Sequence, residues 1–240
     1  MTVTFGDSHH PRMQNIPLAH GAEARARNSD APLAAVLVNG GTAGRVPGTW
    51  SATSEWLAER LAKRFPAISF VEVRYRTKSW NELGSCMEDA ADALDATGRP
   101  SILVGFSMGG AVAIGVADHQ RVEAVLGLAP WIPTQLDLRP LRGKRFDVVH
   151  GAWDRWLPLV PGVSAKHSRS GFERALAAGA HGAYTLVPRG LHGVALRSGG
   201  GSLVTLPRGK AWLGPVSDAF ERFQTHTMSP DLPMMTNDLR

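Results

Sequence analysis

SILVGFSMGG, residues 101–110, joins the most strand-like run of the chain to the start of a probable helix. Ser101 to Phe106 is apolar on successive positions, as a strand covered on both faces is. Met108 to Asp118 is Ala-rich and carries Gly109, Gly110 and Gly115, which suits a helix packed closely on its neighbours. Between them Gly105-Phe106-Ser107-Met108-Gly109 has the form G-x-S-x-G. Small residues at 105 and 109 let strand and helix pass without side-chain clash, and Ser107 then occupies a tight turn that projects its hydroxyl above the sheet edge. The helix start beneath it favours developing negative charge. A glycine-bearing turn before a packed helix is the bland alternative, and a dinucleotide fingerprint is ruled out because it needs glycine where Ser107 stands.

On either side of this segment, short apolar, β-branched runs alternate with longer helix-compatible ones, the pattern of a parallel sheet flanked by helices. Leu33 to Val38, Ile68 to Tyr75, Ser101 to Phe106, Val122 to Leu128, Phe146 to His150 and Tyr184 to Val187 read as about six parallel strands. Thr53 to Phe65, Glu82 to Thr97, Met108 to Asp118, Ser164 to Ala178 and Ala211 to Phe223 read as the helices between and after them, with Ser51, Thr53 and Ser54 as candidate caps for the first. The fold class is therefore α/β, one domain over residues 32–240. Residues 1–31 lack either periodicity and read as a poorly ordered or surface-draped arm.

A serine hydroxyl becomes a good nucleophile only when a base can take its proton, and that base needs an acid to orient it. Of the histidines after Ser107, His192 lies in Gly190-Leu191-His192-Gly193, directly after the last expected strand, where a loop can return the imidazole to the active edge. His150 ends a strand on the correct side and competes, whereas His181 precedes the last strand and belongs to the opposite edge. The acid is assigned to Asp154, in VVHGAWD (residues 148–154), with Asp137 and Asp147 as alternatives. Asp137 follows the preceding strand, and Asp147 lies within a strand and faces the wrong end. A tetrahedral intermediate needs fixed donors: the backbone N–H of Met108, and one from the loop Asn39-Gly40-Gly41-Thr42, where Gly41 is the choice. That loop lacks the G-K-[ST] ending of a phosphate-binding P-loop.

GFSMGG, VVHGAWD and GLHG, in that order, resemble the nucleophile elbow, acid loop and histidine loop of the α/β-hydrolase superfamily, over residues 33 to about 225. The resemblance implies a single-domain α/β-hydrolase fold and an acyl-enzyme mechanism shared by carboxylesterases, thioesterases, lipases, dienelactone hydrolases and acyl transferases, without choosing among their substrates. Asn39 stands where the histidine of an H-G-type oxyanion loop is usual. The connection from Leu128 to Phe146 is too short for an inserted helical lid. An open site bounded by Trp50, Trp80, Trp131, Trp153 and Trp156 follows, with Trp131 and Trp153 as the candidate substrate pocket.

Composition narrows the function classes further. The one cysteine, Cys86, excludes an intrachain disulfide framework, and residues 1–30 lack the apolar core of an export signal, so a cytoplasmic protein is expected. No apolar run is long enough to span a bilayer, so no membrane association is expected. A net charge of +5 with dispersed basic residues, densest at Arg139, Arg142, Lys144 and Arg145, argues a solvated surface rather than a nucleic-acid partner. No metal-ligand spacing occurs and no cofactor is implied. The expected partner is a small-molecule acyl substrate; an acyltransferase or cyclase with the same three residues, and a non-enzymatic binding protein on the same fold, are the alternatives.

Overall fold

The computed structural model describes residues 13–155 and 162–229. In chain order the elements are β1 (Gln14–Pro17), β2 (Glu23–Arg27), β3 (Leu33–Val38), β4 (Val46–Pro47), α1 (Ala52–Arg64), β5 (Ile68–Arg74), β6 (Thr77–Lys78), α2 (Leu83–Thr97), β7 (Ser101–Phe106), α3 (Met108–Gly115), β8 (Val122–Leu128), β9 (Arg145–Gly151), α4 (Ala165–Ala177), β10 (Tyr184–Val187), β11 (Ala195–Arg197), β12 (Leu203–Thr205) and α5 (Leu213–Met228). Among the described residues the main sheet has eight strands in the order β1-β2-β5-β3-β7-β8-β9-β10. The six from β5 to β10 in that order are parallel and coincide with the six expected runs.

The fully apolar run of β3 is buried at every position because helices cover both faces. On one face α1 and α5 bring Trp56, Leu57, Phe220 and Phe223 against Leu37, Phe70 and Val104. On the other, α2, α3 and α4 bring Cys86, Leu94, Val112 and Phe172 against Val36, Leu103 and Val148. Of the candidate caps for α1, Ser51 fills the position, its hydroxyl accepting from the Ser54 amide at 3.2 Å. α2 closes on Gly98 at φ 62°, a left-handed conformation that glycine adopts without strain.

Two departures from the expectation have a physical origin. Residues 1–31 are not a draped arm from Gln14 onward: β1 and β2 extend the sheet antiparallel on β5. In β2 the polar appearance of Glu-Ala-Arg-Ala-Arg conceals a two-residue alternation in which Ala24 and Ala26 enter the core. Arg25 and Arg27 are accommodated on the other face because buried Glu72 of β5 accepts from both guanidiniums. The glycine-rich stretch 198–202 is the turn of an unexpected hairpin, β11 on β12, that docks on α1 through a Trp56 Nε1 to Thr205 Oγ1 hydrogen bond of 2.8 Å.

Parallel register sets the location of the site. Val38 pairs with Gly105, Phe106 with Leu128, Leu128 with Val149, and Gly151 with Val187, so the chain leaves β3, β7, β8, β9 and β10 along one carboxyl edge. That edge is where ligands bind in open parallel sheets.

Candidate active site

Ser107 connects β7 directly to α3 at φ 54°, ψ −118°, a backbone conformation that costs an L residue roughly 1–3 kcal/mol. Three hydrogen bonds hold it there: the Ser107 amide donates to the Leu128 carbonyl at 3.0 Å, and the Ser107 carbonyl accepts from Gly110 and Trp131 amides at 2.9 Å each. The flanking glycines are required by contact. A Cβ on Gly105 would stand 2.2 Å from the Gly109 carbonyl oxygen, and one on Gly109 would stand 2.5 Å from the Val38 carbonyl oxygen. The half-buried Ser107 side chain is thus held at the start of α3, whose first amide is that of Met108.

Asp154 and His192 meet at this edge. The acid loop and the histidine loop are stitched together by the backbone, with Ala152 donating to Val187 at 3.0 Å and Trp153 to Gly190 at 2.9 Å. Gly151 permits the approach, since a Cβ there would lie 2.4 Å from the Leu191 carbonyl oxygen. His192 Nδ1–H donates to Asp154 Oδ2 at 2.7 Å, and Asp154 Oδ1 accepts from the Val163 amide at 3.1 Å. Beyond the histidine, Gly193 takes φ 90°, and the Val194 amide donates to Thr53 Oγ1 at 3.3 Å, tying the loop to α1. The His192 ring packs against Phe106, the neighbour of Ser107, with ring centroids 5.1 Å apart. Serine and imidazole are therefore brought to the same edge, but among the described residues no hydrogen bond joins them.

Burial works to raise the Asp154 carboxyl, and the two imidazoles of His150 and His192 outweigh it by hydrogen bonding and charge, so the group is held below the usual carboxylate range. The alternative acids are occupied elsewhere. Asp137 is bound by Arg139 at 2.7 Å on the surface, and Asp147 by Arg145 and Arg222 at 2.9 and 3.0 Å. His181 lies at the opposite edge, bridged to Arg145. The Cys86 thiol is pushed up to about 11 by burial, so it offers no competing thiolate.

The loop after β3 shows what Asn39 contributes in place of a histidine. Its side-chain oxygen accepts from the Gly40 amide at 2.6 Å, its Nδ2 donates to the Thr49 carbonyl at 2.9 Å, and its own carbonyl accepts from buried Tyr75 at 3.3 Å. The Gly40 amide is thereby consumed, and among the described residues no hydrogen bond takes the amide of Gly41. Gly41 lies against Met108, where a Cβ would meet its sulfur at 2.1 Å. The sequence places Asn39 in this loop but does not show what its side chain binds, and Thr53 reads there only as a candidate helix cap, although an Asn ahead of two glycines is a turn signal of known mechanism.

The tryptophans divide. Trp131 is half-buried and donates its amide to Ser107, while Trp153 is 52% exposed on the acid loop. Trp80 is half-buried beside Gly41. Trp50 departs from the pocket reading, because its ring is covered by the guanidiniums of Arg25 and Arg74. Trp156 lies outside the described residues. A cavity of ≈ 670 Å³ opens at the other edge of the sheet, where Arg142, Lys144 and Arg222 face Glu123, Asp218 and Glu221, far from the serine. Among the described residues no cluster of three His, Cys, Asp or Glu could hold a metal ion, and no helix is long and apolar enough to cross a membrane.

No protein-family model and no curated protein matches the chain. Solved structures do. A sugar hydrolase from Lactococcus lactis superposes with a TM-score of 0.66 at 17% identity, over 90% of this chain and 99% of that one. A carboxylesterase from Lactobacillus plantarum gives 0.61 at 17% identity, over 91% and 98%. A dienelactone hydrolase from Anabaena variabilis gives 0.59 at 16% identity, over 89% and 99%. The chain has the α/β-hydrolase fold.

Proposed function

We propose that the protein is a serine hydrolase that cleaves a carboxylic ester or thioester through an acyl-enzyme on Ser107. The observation that carries this reading is the 2.7 Å pair of His192 and Asp154, held at the sheet edge where the strained Ser107 turn opens α3. In the reaction, Ser107 Oγ attacks the acyl carbon while His192 Nε2 takes its proton. Asp154 keeps the imidazole in the Nδ1–H tautomer and stabilises the imidazolium that forms. The amides of Met108 and Gly41 receive the oxyanion, a task in which one donor is worth about 3 kcal/mol. His192 then returns the proton to the leaving alcohol or thiol, and water attacks the acyl-enzyme by the same relay in reverse.

The absent hydrogen bond between Ser107 and His192 is compatible with this chemistry, because catalytic hydrogen bonds are often long until substrate is bound. Trp131 and Trp153 border the acyl group. The test is a panel of p-nitrophenyl esters and acyl thioesters of graded chain length, with Ser107→Ala as control. Turnover by the native chain and its loss, by about 10⁴-fold or more, in the variant support the reading. Equal turnover by both overturns it, and acyl products other than the free acid would make the protein a transferase.

A further inference from the structure

Phe146, Val148 and His150 alternate onto the face of β9 that meets α4, so an apolar residue is expected at position 150. The imidazole found there is fully buried, stacked on the Tyr184 ring at a centroid distance of 6.2 Å, and its Nδ1 has no partner among the described residues. An unsatisfied buried polar atom is destabilising, and leucine would avoid that cost. The other nitrogen shows what the ring does. Nε2 lies 2.9 Å from the Val163 carbonyl oxygen and 3.2 Å from Asp154 Oδ2. Both are acceptors, so Nε2 carries the hydrogen. Val163 is then gripped twice, at its carbonyl by His150 and at its amide by Asp154 Oδ1, and Oδ2 takes the His192 Nδ1–H at 2.7 Å with His150 Nε2 beside it at the ion-pair distance of 3.2 Å.

We propose that His150 is a positioning residue for Asp154: its Nε2–H, set between the Val163 carbonyl and Asp154 Oδ2, holds the carboxylate that orients His192 and draws off part of its negative charge. The inference rests on the roles given above to Ser107, Asp154 and His192, and deepens them. The groups facing His150 are Asp154 and His192 from the two loops, Tyr184 from β10, and from α4 His167 and Arg169, whose guanidinium lies 4.1 Å over the Tyr184 ring. Of these, only His192 donates to Oδ2; Tyr184, His167 and Arg169 do not. A carboxylate shared in this way stabilises the His192 imidazolium less than an unshared one. Removing the His150 N–H therefore loosens the acid and strengthens its pull on His192.

Three variants separate this from a packing role. His150→Gln can place an amide nitrogen where Nε2 stands, whereas the shorter His150→Asn reaches only the Nδ1 position, and His150→Met fills the space without a donor. For Asn and Met the expected kcat loss is on the order of 10- to 100-fold, with KM near the native value. The acidic limb of the kcat/KM profile moves to higher pH in both, and the downfield proton resonance of the Asp154–His192 hydrogen bond shifts, while Gln retains most of the native kcat. Native kcat, pH profile and resonance in the Asn variant, or a Gln variant no better than Asn, overturns the proposal; should Met fail to fold, the Gln and Asn pair decides. Full activity in Ser107→Ala would instead sink the hydrolase reading, and the resonance would still report whether His150 acts on the Asp154–His192 pair.

Discussion

β9 has a buried aspartate near each end, and the two are put to different use. Asp147, near its start, is held by Arg145 and Arg222 and by the Ala183 amide at 2.8 Å. Asp154, just past its end, is held by His192, His150 and the Val163 amide. A guanidinium keeps its proton at any working pH, so the charges around Asp147 are constant and can only brace the sheet against α5. An imidazole exchanges its proton near neutrality, so the charges around Asp154 can change during a reaction. The same residue type is braced by fixed charges at one edge and, at the other, sits between titratable rings as the proposed mechanism requires.

The largest effect that breaks this contrast is expected from Asp154→Asn, which should lower kcat by about 10⁴-fold while circular dichroism stays native. Asp147→Asn in the same assay should leave kcat unchanged; equal losses in both variants would erase the distinction. Asn39→Ala comes next. It frees the Gly40 amide and lets the Gly41 donor drift, so kcat should fall by less than the about 10²–10³-fold that loss of a whole oxyanion donor costs, with KM little altered. Burst and steady-state kinetics on one ester would measure it.

Smaller effects fall on stability. Asp147→Asn removes ion pairs to two partly exposed guanidiniums that water can re-solvate, and a loss of about 1 kcal/mol or less in urea unfolding is expected. The pH dependence sharpens the comparison. Because the folded-state carboxyl of Asp154 is held below its usual range, its contribution to stability is complete above about pH 4. That contribution is lost as the pH falls through the lowered native value. Asp154→Asn should flatten that part of the acid-unfolding curve, and an unchanged slope would mean that the histidines do not stabilise the ionised acid.

Much of this arrangement is legible in the chain itself. The six parallel strands are continuous apolar runs, and G-x-S-x-G carries its own steric reason, since Cβ atoms at 105 and 109 have nowhere to go. His192 and Asp154 follow from being next after strands whose ends must share an edge. What is not legible depends on who pairs with whom. Arg25 and Arg27 look like surface until β2 is placed beside Glu72, and the hairpin of β11 and β12 is hidden by its glycine-rich turn. His150 reads as a competitor of His192 for the role of base, and only the register of β9 with β10 places it behind the acid instead. Local pattern reports burial and turns, whereas the second partner of a buried charge is a tertiary fact.

The most direct measurement of the central claim is the intact mass and peptide map of the protein after reaction with a fluorophosphonate. The account predicts a single adduct, mapped to Ser107, that forms far more slowly in His192→Ala and not at all in Ser107→Ala. An adduct on another residue, or a native protein that turns over esters yet takes up no probe, would contradict it.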